Sequence, residues 1–331
     1  MQEAMFWRSE ENNSVHCELC PKHCTIRPGK TGFCRVRKNV DGKLYTLNFN
    51  RVAAHAMDPI EKKPLYHYYP GQYILSLGTT GCNLRCGFCQ NWTIAHADPQ
   101  TIEVTPEHVA EVAAKQDPYP NVGIAYTYSE PFMWYEFVFH TARLAREKGL
   151  KNVLVTNGYI NEEPLKALLP YIDAMNIDVK AFTDNFYRKN CTGHLEPVMR
   201  TVEMVHSHCH VELTTLLVPG LNDSEEEIRK LVDWVAALDP EIPLHFSRYF
   251  PNFEFELDPT PPEALKRAQQ IALEKLDYVY IGNLGDPRGM NTYCPRCGKI
   301  VINRTWYNGK VVGLTAENNC KHCGRKIKVI R

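Results

Sequence analysis

Between about Tyr73 and Ile281 the chain switches repeatedly between two hydrophobic rhythms. Short, β-branched or aromatic runs read as strands at Tyr73–Thr79, Gly123–Tyr128, Lys151–Thr156, Asp173–Val179, His210–Val218, Leu244–Arg248 and Tyr278–Ile281. Longer stretches with apolar residues every three to four positions read as helices at 106–116, 132–148, 162–169, 184–189, 195–206, 224–238 and 262–275. Asp223 or Ser224 followed by several glutamates marks one helix start, and Gly149 marks one helix end. About six strand–helix units and a closing strand imply a parallel sheet with right-handed crossovers. Residues 72–290 are fewer than the ~250 a complete eight-unit barrel usually takes, so a partial (β/α)6 TIM-like barrel is expected. Chemistry is then expected at the C-terminal ends of the strands.

Two segments fall outside this rhythm. Residues 1–71 form a Cys-rich module ending in a Pro- and Tyr-rich connector, and residues 291–331 carry a second Cys-rich module with a short β-like tail. The 331 residues hold 38 Lys+Arg and 38 Asp+Glu, so the formal charge is zero. That argues against a dominant non-specific nucleic-acid or anionic-membrane surface. Hydrophobic content of 44% is enough for a sizeable core. No stretch approaches the ~20 apolar residues of a membrane span. The first residues lack the basic-then-apolar order of a secretory signal, so a cytoplasmic location is expected.

Composition changes the picture at cysteine. There are 13, and all but Cys191 and Cys209 fall in three tight groups. Grouped thiols in a reducing compartment read as metal ligands rather than disulfides. The central group, Cys82-x3-Cys86-x2-Cys89, follows the first barrel strand directly. Three thiolates in one loop can hold three irons of a cubane cluster and leave the fourth open to a small ligand. The competing reading is an ordinary metal site completed by a distant residue such as Cys191.

This spacing, with Phe88 before the third cysteine, resembles the signature of the radical S-adenosylmethionine (SAM) superfamily. The resemblance implies a [4Fe–4S] cluster on Cys82, Cys86 and Cys89. It implies SAM chelated by the open iron and reductive cleavage to methionine and a 5′-deoxyadenosyl radical that abstracts hydrogen. It also implies SAM-binding roles at strand ends. Glu130 of Tyr128-Ser129-Glu130-Pro131 stands where the family has Gly-Gly-Glu, although Tyr128 and Ser129 replace the glycines. Thr156-Asn157-Gly158 and Asp178-Val179-Lys180 are similar to motifs of glycyl-radical activating enzymes, and Pro243-Leu244-His245 is similar to a ribose-contacting histidine segment. Phe88, Glu130, Asn157, Asp178, Lys180 and His245 are therefore the cofactor-binding candidates. The alternatives are Glu130 as a helix N-terminal acid, Lys180 as a surface lysine and His245 as a structural histidine. Tyr126, Tyr128, Phe132 and Trp134 are either cavity lining or core.

Asp58-Pro59-Ile60-Glu61-Lys62-Lys63-Pro64-Leu65-Tyr66-His67, Cys89-Gln90-Asn91-Trp92 and Tyr128-Ser129-Glu130-Pro131 narrow the likeness. They resemble the AmmeMemoRadiSam system radical SAM enzymes, relatives of pyruvate formate-lyase activating enzymes. The implied partners are an electron donor such as flavodoxin or ferredoxin, Memo-like and AMME-type proteins, and a protein or peptide substrate.

Cys294-x2-Cys297-Gly298 and Cys320-x2-Cys323-Gly324 read as two knuckles of a zinc ribbon, with mononuclear iron or an auxiliary cluster as alternatives. Strands are expected at 300–304 and 311–314. The tail is basic, which suits a solvated face or a binding surface. Cys17, Cys20, Cys24 and Cys34 suit zinc or a second iron–sulfur cluster. Zinc is favoured because the stretch is too short to enclose a cubane unaided. Cys191 and Cys209 read as small buried residues. A reading of another class is a zinc-dependent nucleic-acid or protein-binding module, which predicts a colourless, iron-free protein.

Overall fold

The computed structural model describes residues 1–115 and 120–331. At its centre is an eight-stranded sheet with its strands in chain order. β1 (Ala54–Pro59) runs antiparallel along the edge of β2 (Tyr73–Gly78). The remaining strands are parallel: β3 (Asn121–Tyr126), β4 (Lys151–Thr156), β5 (Ala174–Asp178), β6 (His210–Leu217), β7 (Leu244–Arg248) and β8 (Val279–Gly282). β1 and β8 are the two edges, so the sheet is an open partial barrel.

The crossovers carry α1 (Pro106–Ala114), α2 (Tyr135–Glu147), α3 (Glu162–Leu168), α4 (Glu196–His206), α5 (Glu225–Leu238) and α6 (Pro262–Ala272). The expected end of the first helix, Gln116, lies outside the described residues. Caps explain several boundaries. The Thr105 hydroxyl accepts from the His108 N–H before Pro106, and the Ser224 hydroxyl accepts from the Glu227 N–H. The helix expected from residue 132 starts at Tyr135, because the Glu130 carboxylate captures the Phe132 N–H and winds Pro131–Trp134 as a 3-10 turn. The helix expected over 184–189 is one short turn, Asp184–Phe186, that opens into a π-turn over Tyr187–Cys191.

The N-terminal segment shares the barrel's main core: Val15, Leu19 and Val36 pack in one cluster with Leu77, Ile124 and Leu154. Arg37 and Glu136, both almost fully buried, form an ion pair that ties this segment to α2. The C-terminal segment packs in a second cluster, where Val301, Ile302, Ile327 and Val329 meet Tyr66 of the connector and Tyr278 and Tyr280 at the barrel floor. Part of its basic charge is used internally. Arg325 pairs with Asp277, and Lys328 with Asp239 at 2.9 Å. Among the described residues, no helix is long and apolar enough to cross a membrane.

Candidate active site

The parallel strands open into one cleft at their C-terminal ends. Cys82, Cys86, Phe88 and Cys89 line it from the loop after β2, and Tyr128 and Glu130 from the turn after β3. Thr156 and Asn157 follow from the end of β4, Asp178 and Lys180 from β5, Thr214 and Leu216 from β6, Ser247 from β7, and Asn283 after β8.

Backbone hydrogen bonds set the shape of the cysteine loop. The Arg85 N–H donates to the Cys191 carbonyl at 2.9 Å and the Gly87 N–H to the Asn190 carbonyl at 3.1 Å, so the π-turn clamps the loop. Cys191 is fully buried and its thiol hydrogen-bonds that of Cys86. Burial pushes the Cys82 thiol well up and that of Cys89 up to about 11. A bound metal would have to displace these protons, which couples its affinity to pH. Phe88 is buried against Phe186 and Phe255, with ring centroids 5.6 and 5.7 Å away. The loop's three sulfurs are thus presented to one cleft on fixed backbone, which suits a cluster that keeps one iron open.

Glu130 is almost fully buried. One oxygen accepts from the Phe132 N–H at 3.0 Å and the Thr156 hydroxyl at 2.7 Å, and the other from the Asn157 N–H at 2.8 Å. Burial pushes its carboxyl up to about 7, opposed first by the Asn157 N–H. It therefore caps a turn and braces β4 while forming part of the cleft wall. The Asn157 amide donates to the Asn83 side-chain oxygen at 2.9 Å and lies 3.6 Å from the Cys82 sulfur. Lys180 pairs with Asp178 at 2.9 Å. Burial works against its charge, but Asp178 and the thiols of Cys86 and Cys191 outweigh it and hold the ammonium well above its ordinary range. A compact cation is thus fixed beside the sulfur loop, positioned for a carboxylate.

Tyr128 explains the departure from Gly-Gly. Its φ of 67° is the left-handed conformation that glycine adopts freely. The strained position is held by the Tyr128 hydroxyl, which donates to Asp58 at 2.6 Å, and by the Lys63 ammonium 5.2 Å from its ring. Lys63 in turn pairs with Asp58 at 2.7 Å. Of the other aromatic candidates, Tyr126, Phe132 and Trp134 are core residues.

His245 does not reach this cleft, which corrects the expectation that it meets the SAM ribose. It sits at the opposite end of β7, buried, with its ring nitrogen 2.6 Å from Glu212. Ser247 occupies the lining position instead. The two share the inward face, but two residues along a strand is about 6.7 Å of depth. Ser247 and Asn283, whose side chains hydrogen-bond at 3.0 Å, were missed by sequence reasoning. The period-two pattern of β7 was the signal that could have found Ser247.

The C-terminal quartet converges. The sulfurs of Cys294 and Cys323 are 3.5 Å apart, and those of Cys297 and Cys320 are 3.7 Å apart. A tetrahedral ion with metal–sulfur bonds of about 2.3 Å separates its thiolates by about 3.8 Å, so these four residues fit a single ion. The two knuckles are near-copies: the Gly298 N–H donates to the Cys294 carbonyl at 2.8 Å and the Gly324 N–H to the Cys320 carbonyl at 2.9 Å. Among the described residues this is the one group of three or more ligand-type side chains whose ligand atoms all lie within 4.8 Å of one another. The N-terminal quartet does not draw in so closely; Cys17, Cys20, Cys24 and Cys34 surround a small cavity instead.

Residues 76–235 match the Radical SAM superfamily. With its open parallel barrel and the cysteine loop at its mouth, the chain belongs to that superfamily and is a radical SAM enzyme. Over its whole length it is 46% identical to uncharacterized protein MJ0808 of Methanocaldococcus jannaschii, which it also covers completely. It is homologous to glycyl-radical activating enzymes. The pyruvate formate-lyase-activating enzyme of Clostridium pasteurianum is 28% identical over 163 residues, 46% of this chain and 65% of that enzyme, so just under two thirds of that relative is matched. The crystal structure of Streptococcus suis SuiB bound to S-adenosylmethionine shares the fold at a TM-score of 0.50 and 13% identity, covering 68% of this chain and 53% of SuiB.

Proposed function

We propose that the chain reductively cleaves SAM at a [4Fe–4S] cluster held by Cys82, Cys86 and Cys89. The observation that carries this reading is the meeting of those three sulfurs with the Asp178–Lys180 pair and Asn157 in one cleft. When bound, the cluster supplies the electron that breaks the SAM sulfonium and yields a 5′-deoxyadenosyl radical for hydrogen abstraction. The chain's own residues bind and orient. Lys180 takes the SAM carboxylate, Glu130 and Asn157 fix the wall that receives the amino end, and Phe88 shields the sulfur loop. Ser247 and Asn283 are the polar groups available at the far wall.

The substrate is a protein or peptide, as suits a relative of activating enzymes, and the reductant is a flavodoxin or ferredoxin. The AmmeMemoRadiSam likeness makes Memo-like and AMME-type proteins the partners to test. The C-terminal quartet holds structural zinc in a ribbon over 291–331, residues 72–290 together with the edge strand Ala54–Pro59 form the catalytic barrel, and the residues before that strand form the N-terminal module.

The test is electron paramagnetic resonance (EPR) on anaerobically reconstituted, dithionite-reduced protein. SAM is expected to change the spectrum of the wild type, and a C82A/C86A/C89A variant is expected to show no SAM-sensitive signal. A wild-type spectrum indifferent to saturating SAM contradicts the reading. Zinc without iron after reconstitution supports the binding module instead.

A further inference from the structure

The N-terminal quartet differs from the C-terminal one in spacing and in place. Cys17, Cys20 and Cys34 are buried and Cys24 is half-buried. No three of their sulfurs all lie within 4.8 Å of one another, and neither do those of Cys82, Cys86 and Cys89. A single ion draws four sulfurs to one centre, whereas a cubane gives each cysteine its own iron and leaves the sulfurs further apart. By this internal comparison the N-terminal quartet resembles the sulfur loop of the active site, not the ribbon.

The shortness of the stretch argued for zinc, yet the stretch does not enclose the cavity alone. Asn83 and Met133 of the barrel complete the wall around the four cysteines. N–H groups also face the sulfurs. The Phe33 N–H lies 3.5 Å from Cys24, the Arg37 guanidinium 4.0 Å from Cys17, the Lys22 N–H reaches Cys20, and the Val36 N–H reaches Cys34. Such donors offset thiolate charge and tune a cluster's potential.

The cavity is in direct contact with the active-site loop. A Cβ on Gly81, the residue before Cys82, would lie 2.9 Å from the Cys34 carbonyl oxygen and 2.7 Å from Val36. Asn83 lines the N-terminal cavity, and its side-chain oxygen accepts from the same Asn157 amide that faces the Cys82 sulfur. Lys22 lines the N-terminal cavity and is close enough for electrostatic interaction with Cys20, Cys24, Cys82 and Cys86.

We propose that Cys17, Cys20, Cys24 and Cys34 hold a second iron–sulfur cluster that relays electrons from a protein donor to the active-site cluster. A one-electron carrier of the flavodoxin or ferredoxin class is oxidised by one electron and the N-terminal cluster is reduced from 2+ to 1+. It returns to 2+ as the active-site cluster goes from 2+ to 1+, and no bond or proton changes hands. The relay rests on the radical SAM reading for its acceptor, but the second cluster does not.

The test separates the two. The C82A/C86A/C89A variant is reconstituted anaerobically and analysed for iron, sulfide and zinc. About four iron and four sulfide are expected, with a reduced-state EPR signal unaffected by SAM. An iron-free variant carrying a second zinc overturns the proposal. One zinc on the ribbon and an unchanged circular dichroism spectrum report that the variant is folded. Wild-type Mössbauer spectroscopy gives an independent count, with about eight iron expected and about four overturning it. For the relay, Cys24→Ala is assayed for 5′-deoxyadenosine with reduced flavodoxin and with dithionite. The flavodoxin-driven rate is expected to fall about tenfold more than the dithionite-driven rate. Equal losses, or no loss, overturn the relay.

Discussion

At the residue scale, the cleft turns on which side chains carry charge at the sulfur loop. Lys180 is the cation fixed there, through Asp178 at 2.9 Å. Replacing a hydrogen-bonded charge partner of a ligand costs about 2 kcal/mol or more, so Lys180→Ala should weaken SAM binding about thirtyfold or more. His245→Gln should leave SAM affinity unchanged, because His245 lies on the barrel floor bonded to Glu212. Equilibrium binding to the reconstituted protein measures both, and a large loss of affinity in His245→Gln restores that residue to the SAM site. The contrast also shows what the sequence could tell. That Cys82, Asp178 and Lys180 line one cleft was legible from motif resemblance and strand-end position. His245 was misplaced because a strand pattern gives the face a residue points to, not its depth along the barrel.

At the element scale, the connector between β1 and β2 closes the barrel floor through one carboxylate. Glu212 accepts from the Tyr66 N–H at 2.9 Å, the His67 N–H at 2.7 Å, His210 at 2.9 Å and His245 at 2.6 Å. Arg304 of the C-terminal segment donates to the Tyr66 carbonyl at 2.5 Å. Burial opposes the Glu212 charge, but the bonds from His210 and His245 hold the carboxyl well below its ordinary 4.5. A depressed carboxylate contributes its full stability above that ordinary value and loses it as pH falls through the lower native pKa. Glu212→Gln turns an acceptor into a donor facing N–H groups, at a cost of about 3–5 kcal/mol. Denaturation should show a wild-type advantage that is constant near neutral pH and shrinks below about pH 4.5. An advantage that grows on acidification contradicts this role. The strands and helices were legible from their periodicity, and β4 and β7 begin and end where the pattern placed them. The π-turn at Tyr187–Cys191 was not, because its winding is imposed by the loop it clamps rather than by local propensity.

At the scale of the whole molecule, the two outer modules brace opposite ends of the barrel. The N-terminal segment packs beside the cleft, while the ribbon packs under the floor. With the C-terminal quartet proposed as a zinc site, removing that ion should weaken the floor without touching the sulfur loop. A C294S/C297S variant is expected to lose about one zinc per chain, keep its iron and unfold at lower temperature. Loss of iron in step with zinc contradicts the separation. The packing of both modules onto the barrel was beyond the sequence pattern, because it depends on distant pairs such as Arg37–Glu136 and Arg304–Tyr66.

The most direct measurement is product analysis of anaerobically reconstituted full-length protein given SAM and dithionite. The expected result is 5′-deoxyadenosine and methionine in equal amounts, abolished in Cys86→Ala. A protein that carries its full iron and sulfide, binds SAM and yields no 5′-deoxyadenosine would contradict radical SAM chemistry at Cys82, Cys86 and Cys89.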